Sequence, residues 1–337
     1  RDYLSSFLLY AGVGGALLAI IVGTVLTTPS QPLVINISAY NGFWGSTNAT
    51  PLFPLLFITI ACGTISGFHS LVSSGTTAKQ LNSETDARAI GYGGMLGEGL
   101  LATVALATLG VAGVTQGGGI GRALPNFAEG GGIILTAFGI PQSFGGPFMA
   151  LVLVSFLLTS TDTAVRLGRY MMEELVGTPE TTVQEYAANR YTNAAIQGIP
   201  AYILITSGSW LTLWQLFGGA NQLLAALALT TGTVWLANWD ESKQLISTGV
   251  PMAVMATITT LGLLWVGLHD NLYVKFIQGG GQDLTMVQTL SAVTQIVLSL
   301  VLIYIGLSII WLGYENIQKV RGGVGATATD GGRPEDD

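Results

Sequence analysis

The sequence holds a single cysteine, Cys62, and two histidines, His69 and His269. One cysteine excludes an intrachain disulfide and a cysteine-rich metal site. Two histidines exclude a multi-histidine metal centre. Charge is scarcer still. Only 9% of the residues are Asp, Glu, Lys or Arg, against about 25% in a soluble domain. So few charges cannot wet a globular surface made from 337 residues. That excludes a soluble enzyme. A nucleic-acid binder is excluded as well, because it needs a basic face and the net charge here is −7. The sequence contains no H-E-x-x-H, Walker A or G-x-S-x-G motif. The reading is therefore of a non-enzyme with no catalytic residue, no bound metal and no organic cofactor.

What is present is apolar. Half of the residues are hydrophobic and the mean hydropathy is +0.57. The 46 glycines suit helices that pack closely in lipid. Stretches long enough to cross a bilayer are Ser6–Leu26, Leu52–Leu71, Gly91–Val111, Phe148–Met171, Ala194–Leu211, Leu213–Leu236, Val250–Leu268 and Val287–Leu312. The fold class expected is an all-α polytopic bundle of about eight spans, some of them discontinuous. Gly131–Phe138 is too short to span and reads as a re-entrant or interfacial piece. With eight spans every Lys and Arg except Arg122 and Lys275 falls on one side. The positive-inside rule makes that side cytoplasmic, with both termini on it. His269, beside Asp270, reads as a solvated residue at an external span end.

Residues 1–312 thus read as the membrane domain and 313–337 as an acidic, glycine-rich cytoplasmic tail, disordered from Gly322. The stretch Glu173–Asn193 reads as helical and lying on the membrane surface. Two N-x-[ST] triplets begin at Asn36 and Asn48. The chain starts at Arg1 with neither methionine nor a signal-peptide pattern. The expectation is the later part of a longer protein, or a processed product.

Polar groups inside spans are expensive and mark candidate sites. Ser155, Thr159, Asp162, Arg166 and Arg169 fall within about 80° of one helical face. Hydroxyls and a carboxylate suit a hard cation, and Asp162 can instead carry a proton. The competing reading is an Asp162–Arg166 ion pair at i,i+4 that neutralises both. From Cys62 to Thr77 glycines and hydroxyls are dense, a poor continuous helix. An unwound helix at membrane depth frees backbone groups for a substrate or ion, which puts Ser66 and Gly67 forward. His69 can share in proton coupling. The alternative there is a Gly63/Gly67 packing seam. Glu98 lies among glycines, as a proton relay, a partner for Arg166 or an interfacial carboxylate. Gly218 and Gly219 are expected to break their helix, with Asn221 and Gln222 offering donors and acceptors to a carboxylate or amide, or simply bonding between helices.

Several strings resemble the carbon-starvation protein A (CstA) family. They are Arg1-Asp2-Tyr3-Leu4-Ser5, the long run Pro51–Thr77, and Ala89–Leu96. Thr161-Asp162-Thr163 with Arg166–Tyr170, and Leu216-Phe217-Gly218 with Asn221-Gln222, belong with them. The resemblance covers residues 1–240 well and 241–337 by hydropathy alone. It implies an ion-gradient-driven secondary transporter in the cell membrane, importing a small carboxylate such as pyruvate, or peptides, during carbon starvation. The coupling ion would be a proton, or sodium. By analogy the fold is that of amino-acid/polyamine/organocation transporters. The resemblance also implies that the N-terminal half of the transporter lies outside this sequence. A membrane-embedded enzyme and a passive channel are the rival readings.

Overall fold

A computed structural model describes residues 2–25, 33–35, 37–40, 42–44, 51–60, 63, 65–112, 119–206, 210–238, 242–279 and 284–321. Cys62, both N-x-[ST] asparagines and the tail from Gly322 lie outside the described residues. The described elements are helical. They are α1 (Asp2–Val25), α2 (Leu52–Thr59), α3 (Gly67–Val72), α4 (Asp86–Ala112), α5 (Gly119–Leu135), α6 (Gln142–Val176), α7 (Thr182–Ala188), α8 (Arg190–Thr206), α9 (Trp210–Leu236), α10 (Ser242–Leu264) and α11 (Met286–Arg321). A π-helical turn, Ser73–Thr77, prolongs α3, and a π-helix, Trp265–Gln278, prolongs α10. Helices suit this solvent because each satisfies its own backbone hydrogen bonds within one segment.

Among the described residues five helices are long and apolar enough to cross a membrane: Ser6–Gly23, Asp86–Ala112, Gln142–Val176, Leu245–Gln278 and Met286–Arg321. The chain is an all-α polytopic membrane protein. The other three spans read from hydropathy differ for visible reasons. Leu52–Leu71 is interrupted between α2 and α3. Ala194–Leu211 maps to α8, which is 17 residues long. Leu213–Leu236 maps to α9, diluted by Gln215, Asn221, Gln222 and its threonines. At the far end α11 runs on past Leu312 to Arg321.

The chain divides into two compact units. The first comprises Arg1–Ala49 and Val72–Leu211. Its core is Ala16, Ala19, Val104, Phe127, Ile134, Leu135, Ala137 and Met149. Here α5 packs on α4 and α6, and α1 packs on all three. Gly131–Phe138 forms the end of α5 and a 3-10 turn, Thr136–Phe138, with residues 131–135 and Ala137 buried and Phe138 exposed. The glycine run that lowered its hydropathy is the contact itself. A Cβ on Gly130 would strike the Thr108 carbonyl oxygen, one on Gly131 would lie 2.6 Å from Met149 Cγ, and one on Gly132 would lie 2.8 Å from Gly146 N. Without a hydrophobic drive between helices in lipid, such close backbone approach supplies the packing. Gly139, at φ +74°, turns the chain into α6. Within Glu173–Asn193, α6 continues to Val176 and α7 opens with a capping box at Thr181 and Gln184.

The second unit comprises Thr50–Leu71 and Thr212–Asp337. Leu55 and Ile58 of α2 pack with Trp265 and Val266. Leu216 and Leu223 of α9 pack with Leu263. Gly306 of α11 abuts Leu223, where a Cβ would lie 2.5 Å from Leu223 Cδ1.

Replacing Gly132 by leucine should cost about 1–3 kcal/mol by overpacking, because the obstacle is the Gly146 backbone and cannot rotate away. Gly93→Ala, with nothing within 4 Å of its Cβ, should change stability by no more than about 1 kcal/mol. Thermal unfolding of the detergent-solubilised full-length protein compares the two.

Candidate functional site

The interruption between α2 and α3 is where helical backbone groups lose their partners. The last four carbonyls and first four N–H groups of a helix have none within it, and in hydrocarbon water does not replace them. The second unit supplies several. Ile60 N–H donates to the Leu56 carbonyl at 3.0 Å, and Gly63 N–H to the Ile60 carbonyl at 3.1 Å. Gln222 Nε2 donates to the Phe57 carbonyl at 2.5 Å. On the other side, Phe68 N–H donates to Asn221 Oδ1 at 2.8 Å. Asn221 Nδ2 and Ser66 Oγ lie 3.2 Å apart. Ser70 N–H donates to the Ser66 carbonyl at 3.2 Å.

Close contact allows this. A Cβ on Gly67 would collide with the Asn221 carbonyl oxygen and Leu224 Cβ, and would lie 2.7 Å from Ala225 N. One on Gly218 would collide with the Ile58 carbonyl oxygen. Gly218 and Gly219 do not break their helix: α9 is continuous through both. The reason is steric. They remove side chains where α9 meets Ile58 and Leu263, and their backbone stays helical.

Ser66, Gly67, Asn221 and Gln222, which the sequence offers as two separate clusters, are thus gathered at one place. Gln222 is 1% exposed, and its Oε1 has no hydrogen-bond partner among the described residues. A buried amide oxygen without a donor costs about 1–3 kcal/mol. His69 belongs to the same unit but is exposed, its ring edge-on to Phe68 at 5.9 Å.

The remaining candidates lie in the first unit. Arg166 donates to Asp162 Oδ2 at 3.0 Å, with side chains 42% and 37% exposed. This is the i,i+4 pair of the competing reading. Within a span such a pair offsets part of the cost of both charges. Arg169 pairs with Glu173 at 3.7 Å. Thr159 Oγ1 donates to the Phe156 carbonyl at 2.8 Å, back along its own helix. Ser155 and Glu98 are half-buried. A cavity of about 230 Å³ among α1, α4, α5 and α6 is lined by apolar side chains such as Leu9, Leu101, Phe127 and Phe156. It has no polar group to orient a carboxylate.

The sequence reading misses one polar seam. It ends a span at Leu268, but the helix continues to Gln278. Asn271, 2% exposed, donates through Nδ2 to the Val266 carbonyl at 2.6 Å and to Gln295 Oε1 of α11 at 3.3 Å. Lys275 Nζ donates to Asn271 Oδ1 at 2.6 Å. Gln295 Nε2 donates to Ser291 Oγ at 3.2 Å. Ser299 is fully buried, and its Oγ has no partner among the described residues. The four-residue spacing of Asn271 with Lys275, and of Ser291, Gln295 and Ser299, is the signal that points to this seam. His269 is not simply solvated. Its ring stacks on Trp265 at 4.0 Å, and Nδ1 lies 2.9 Å from Asp270 Oδ1.

A family model described as carbon starvation protein CstA matches residues 1–118 and 114–262. The chain belongs to that family. Its curated relatives include a pyruvate/proton symporter, BtsT, of Escherichia coli K12, 29% identical over 95% of this chain and 57% of the relative. They also include a peptide transporter, CstA, of Helicobacter pylori J99, 33% identical over 77% of this chain and 45% of the relative. The peptide transporter CstA of Bacillus subtilis is 30% identical over 79% and 50%. This CstA-family chain therefore spans about half the length of the curated relatives it matches. No solved structure matches it.

Asn221→Ala removes the acceptor of the Phe68 N–H and should cost about 1–3 kcal/mol. Hydrogen exchange should speed up across Gly67–Val72 and stay unchanged in α4.

Proposed function

We propose that this chain forms part of a secondary transporter of the cell membrane that imports a small carboxylate such as pyruvate, or peptides, when carbon is scarce. A proton gradient drives it, with sodium as the alternative ion. The observation that carries this reading is the interrupted helix α2–α3, held open by Asn221 and Gln222. Secondary transporters place substrate and ion at such interruptions, where backbone groups and helix ends replace hydration. Ser66, Gly67, Asn221 and Gln222 form the binding site in this reading. The unpartnered Gln222 Oε1 accepts a hydrogen bond from an N–H of a bound peptide, whereas pyruvate, which has no donor, takes its hydrogen bonds from N–H and O–H groups.

Asp162 carries the coupled proton. Ser155 and Thr159 supply oxygens on its face, and Arg166 holds the carboxylate ready when the proton leaves. Glu98 and His69 are further proton carriers on this reading. The ends of residues 1–321 lie on the cytoplasmic side, where the basic residues gather. The printed names of the relatives support both substrate classes and the proton. Named transporters also favour a non-enzyme.

The test is uptake of labelled pyruvate, and separately of a labelled dipeptide, into proteoliposomes holding the full-length protein. An inward proton gradient should drive accumulation above equilibrium, and collapsing it should release the label. Asp162→Asn should lower gradient-driven accumulation about tenfold or more, a loss above 1.4 kcal/mol, while leaving binding of the label measurable. No accumulation of either substrate under proton or sodium gradients overturns the proposal.

A further inference from the structure

The seam between the π-helix Trp265–Gln278 and α11 holds a cation, Lys275, in the last turn of the long apolar helix Leu245–Gln278. An ionisable residue packed into a helix seam of a membrane protein is a candidate functional group. Lys275 is half-buried. A lysine near a helix end usually extends its amine outward to the interface, or toward the last carbonyls of its helix. Lys275 does neither. Its amine folds back one turn to Asn271 Oδ1, at 2.6 Å. Asn271 is itself fixed from two sides by Val266 and Gln295. Gln295 is 3% exposed and in turn held to Ser291. A chain of neutral amides thus positions the ammonium without neutralising it.

Among the described residues the charge has no ion-pair partner, only a longer-range attraction to Asp270. An ammonium has three donors, and among the described residues only Asn271 accepts from this one. No carboxylate oxygen lies within 4.0 Å of Nζ among the described residues. Asp270, the acidic neighbour, lies against His269 Nδ1 at 2.9 Å. The π-helical backbone belongs to the same pattern, because π-helical insertions recur at functional sites.

We infer that Lys275 is a carboxylate-binding point. It takes the carboxylate common to pyruvate and to the C-terminus of a peptide, by a charge-assisted hydrogen bond from the donors Asn271 leaves open. This rests on the transport reading above and adds a group that recognises the substrate's charge. Asn271, Gln295 and Ser291 are positioning residues that hold the amine at the seam.

Two measurements on the full-length protein test it. In proteoliposomes, Lys275→Gln should raise KM for pyruvate and for a dipeptide about tenfold, the loss of one charge-assisted contact. Lys275→Arg should keep KM within about threefold, since the charge is retained. An unchanged KM in Lys275→Gln overturns the inference. The second measurement needs no variant. The wild-type protein is treated with an amine-acylating reagent and labelling of Lys275 is read by mass spectrometry, with Lys79, Lys243 and Lys319 as internal controls. Pyruvate, or a dipeptide with a free C-terminus, should protect Lys275. Methyl pyruvate and the dipeptide amide should not.

Protection by pyruvate but not the dipeptide, or the reverse, assigns the site to that one source and upholds it. Equal labelling with acid and ester overturns it. If the wild type moves neither substrate, the transport reading alone fails, and the labelling result decides whether the carboxylate site stands.

Discussion

In hydrocarbon a missing backbone hydrogen bond is not replaced by water. That constraint governs the stretch between Thr59 and Gly67. α2 ends at Thr59 and α3 begins at Gly67, and the side chains of two consecutive residues of α9, Asn221 and Gln222, serve the backbone at those two ends. Gln222 caps the end of α2 through the Phe57 carbonyl, and Asn221 caps the start of α3 through the Phe68 amide. An α-helix presents adjacent residues about 100° apart, which lets one turn of α9 reach both ends of the gap. The glycines beside them bring the backbones close enough for short amide side chains to reach.

The same logic recurs with different chemistry. In the first unit, Gly130, Gly131 and Gly132 let α5 press against α4 and α6. There the glycines face a carbonyl, a methionine and a backbone amide. In the α10–α11 seam the helices are joined by amides instead. Asn271 donates to Gln295 and accepts from a lysine. Buried polar groups in lipid are tolerable only when paired. The amide oxygen of Gln222 and the hydroxyl of Ser299 depart from that rule, which makes them informative.

Much of this was legible beforehand. Glycines and hydroxyls between Cys62 and Thr77 make a poor continuous helix in any context, so the break was readable from residue types. The same reasoning failed at Gly218 and Gly219, where α9 stays helical. Glycine weakens a helix by about 1 kcal/mol, and a tight contact with Ile58 and Leu263 outweighs that. At Gly131–Phe138 the packing role of the glycines was not legible for a related reason. Hydropathy scores a glycine as neutral, whereas in a membrane protein it is a packing residue. Lys275 was read as lying beyond its span because a window average ends a span where charge begins, and only the fold shows that the helix continues.

By itself the sequence determined the solvent and the class. Few charges and long apolar stretches leave a helical membrane protein as the outcome, because hydrogen bonding in lipid admits few alternatives. It also supplied the residues of the helix interruption, since composition is local. The tertiary structure decided which of them meet. Asn221 lies 153 positions from Phe68 and Gln222 lies 165 from Phe57, and no periodicity reports a contact over that distance. It decided, too, that the glycines of α9 join helices rather than break one, and that an amide chain holds Lys275. Those outcomes depend on which surfaces face each other, and only packing sets that.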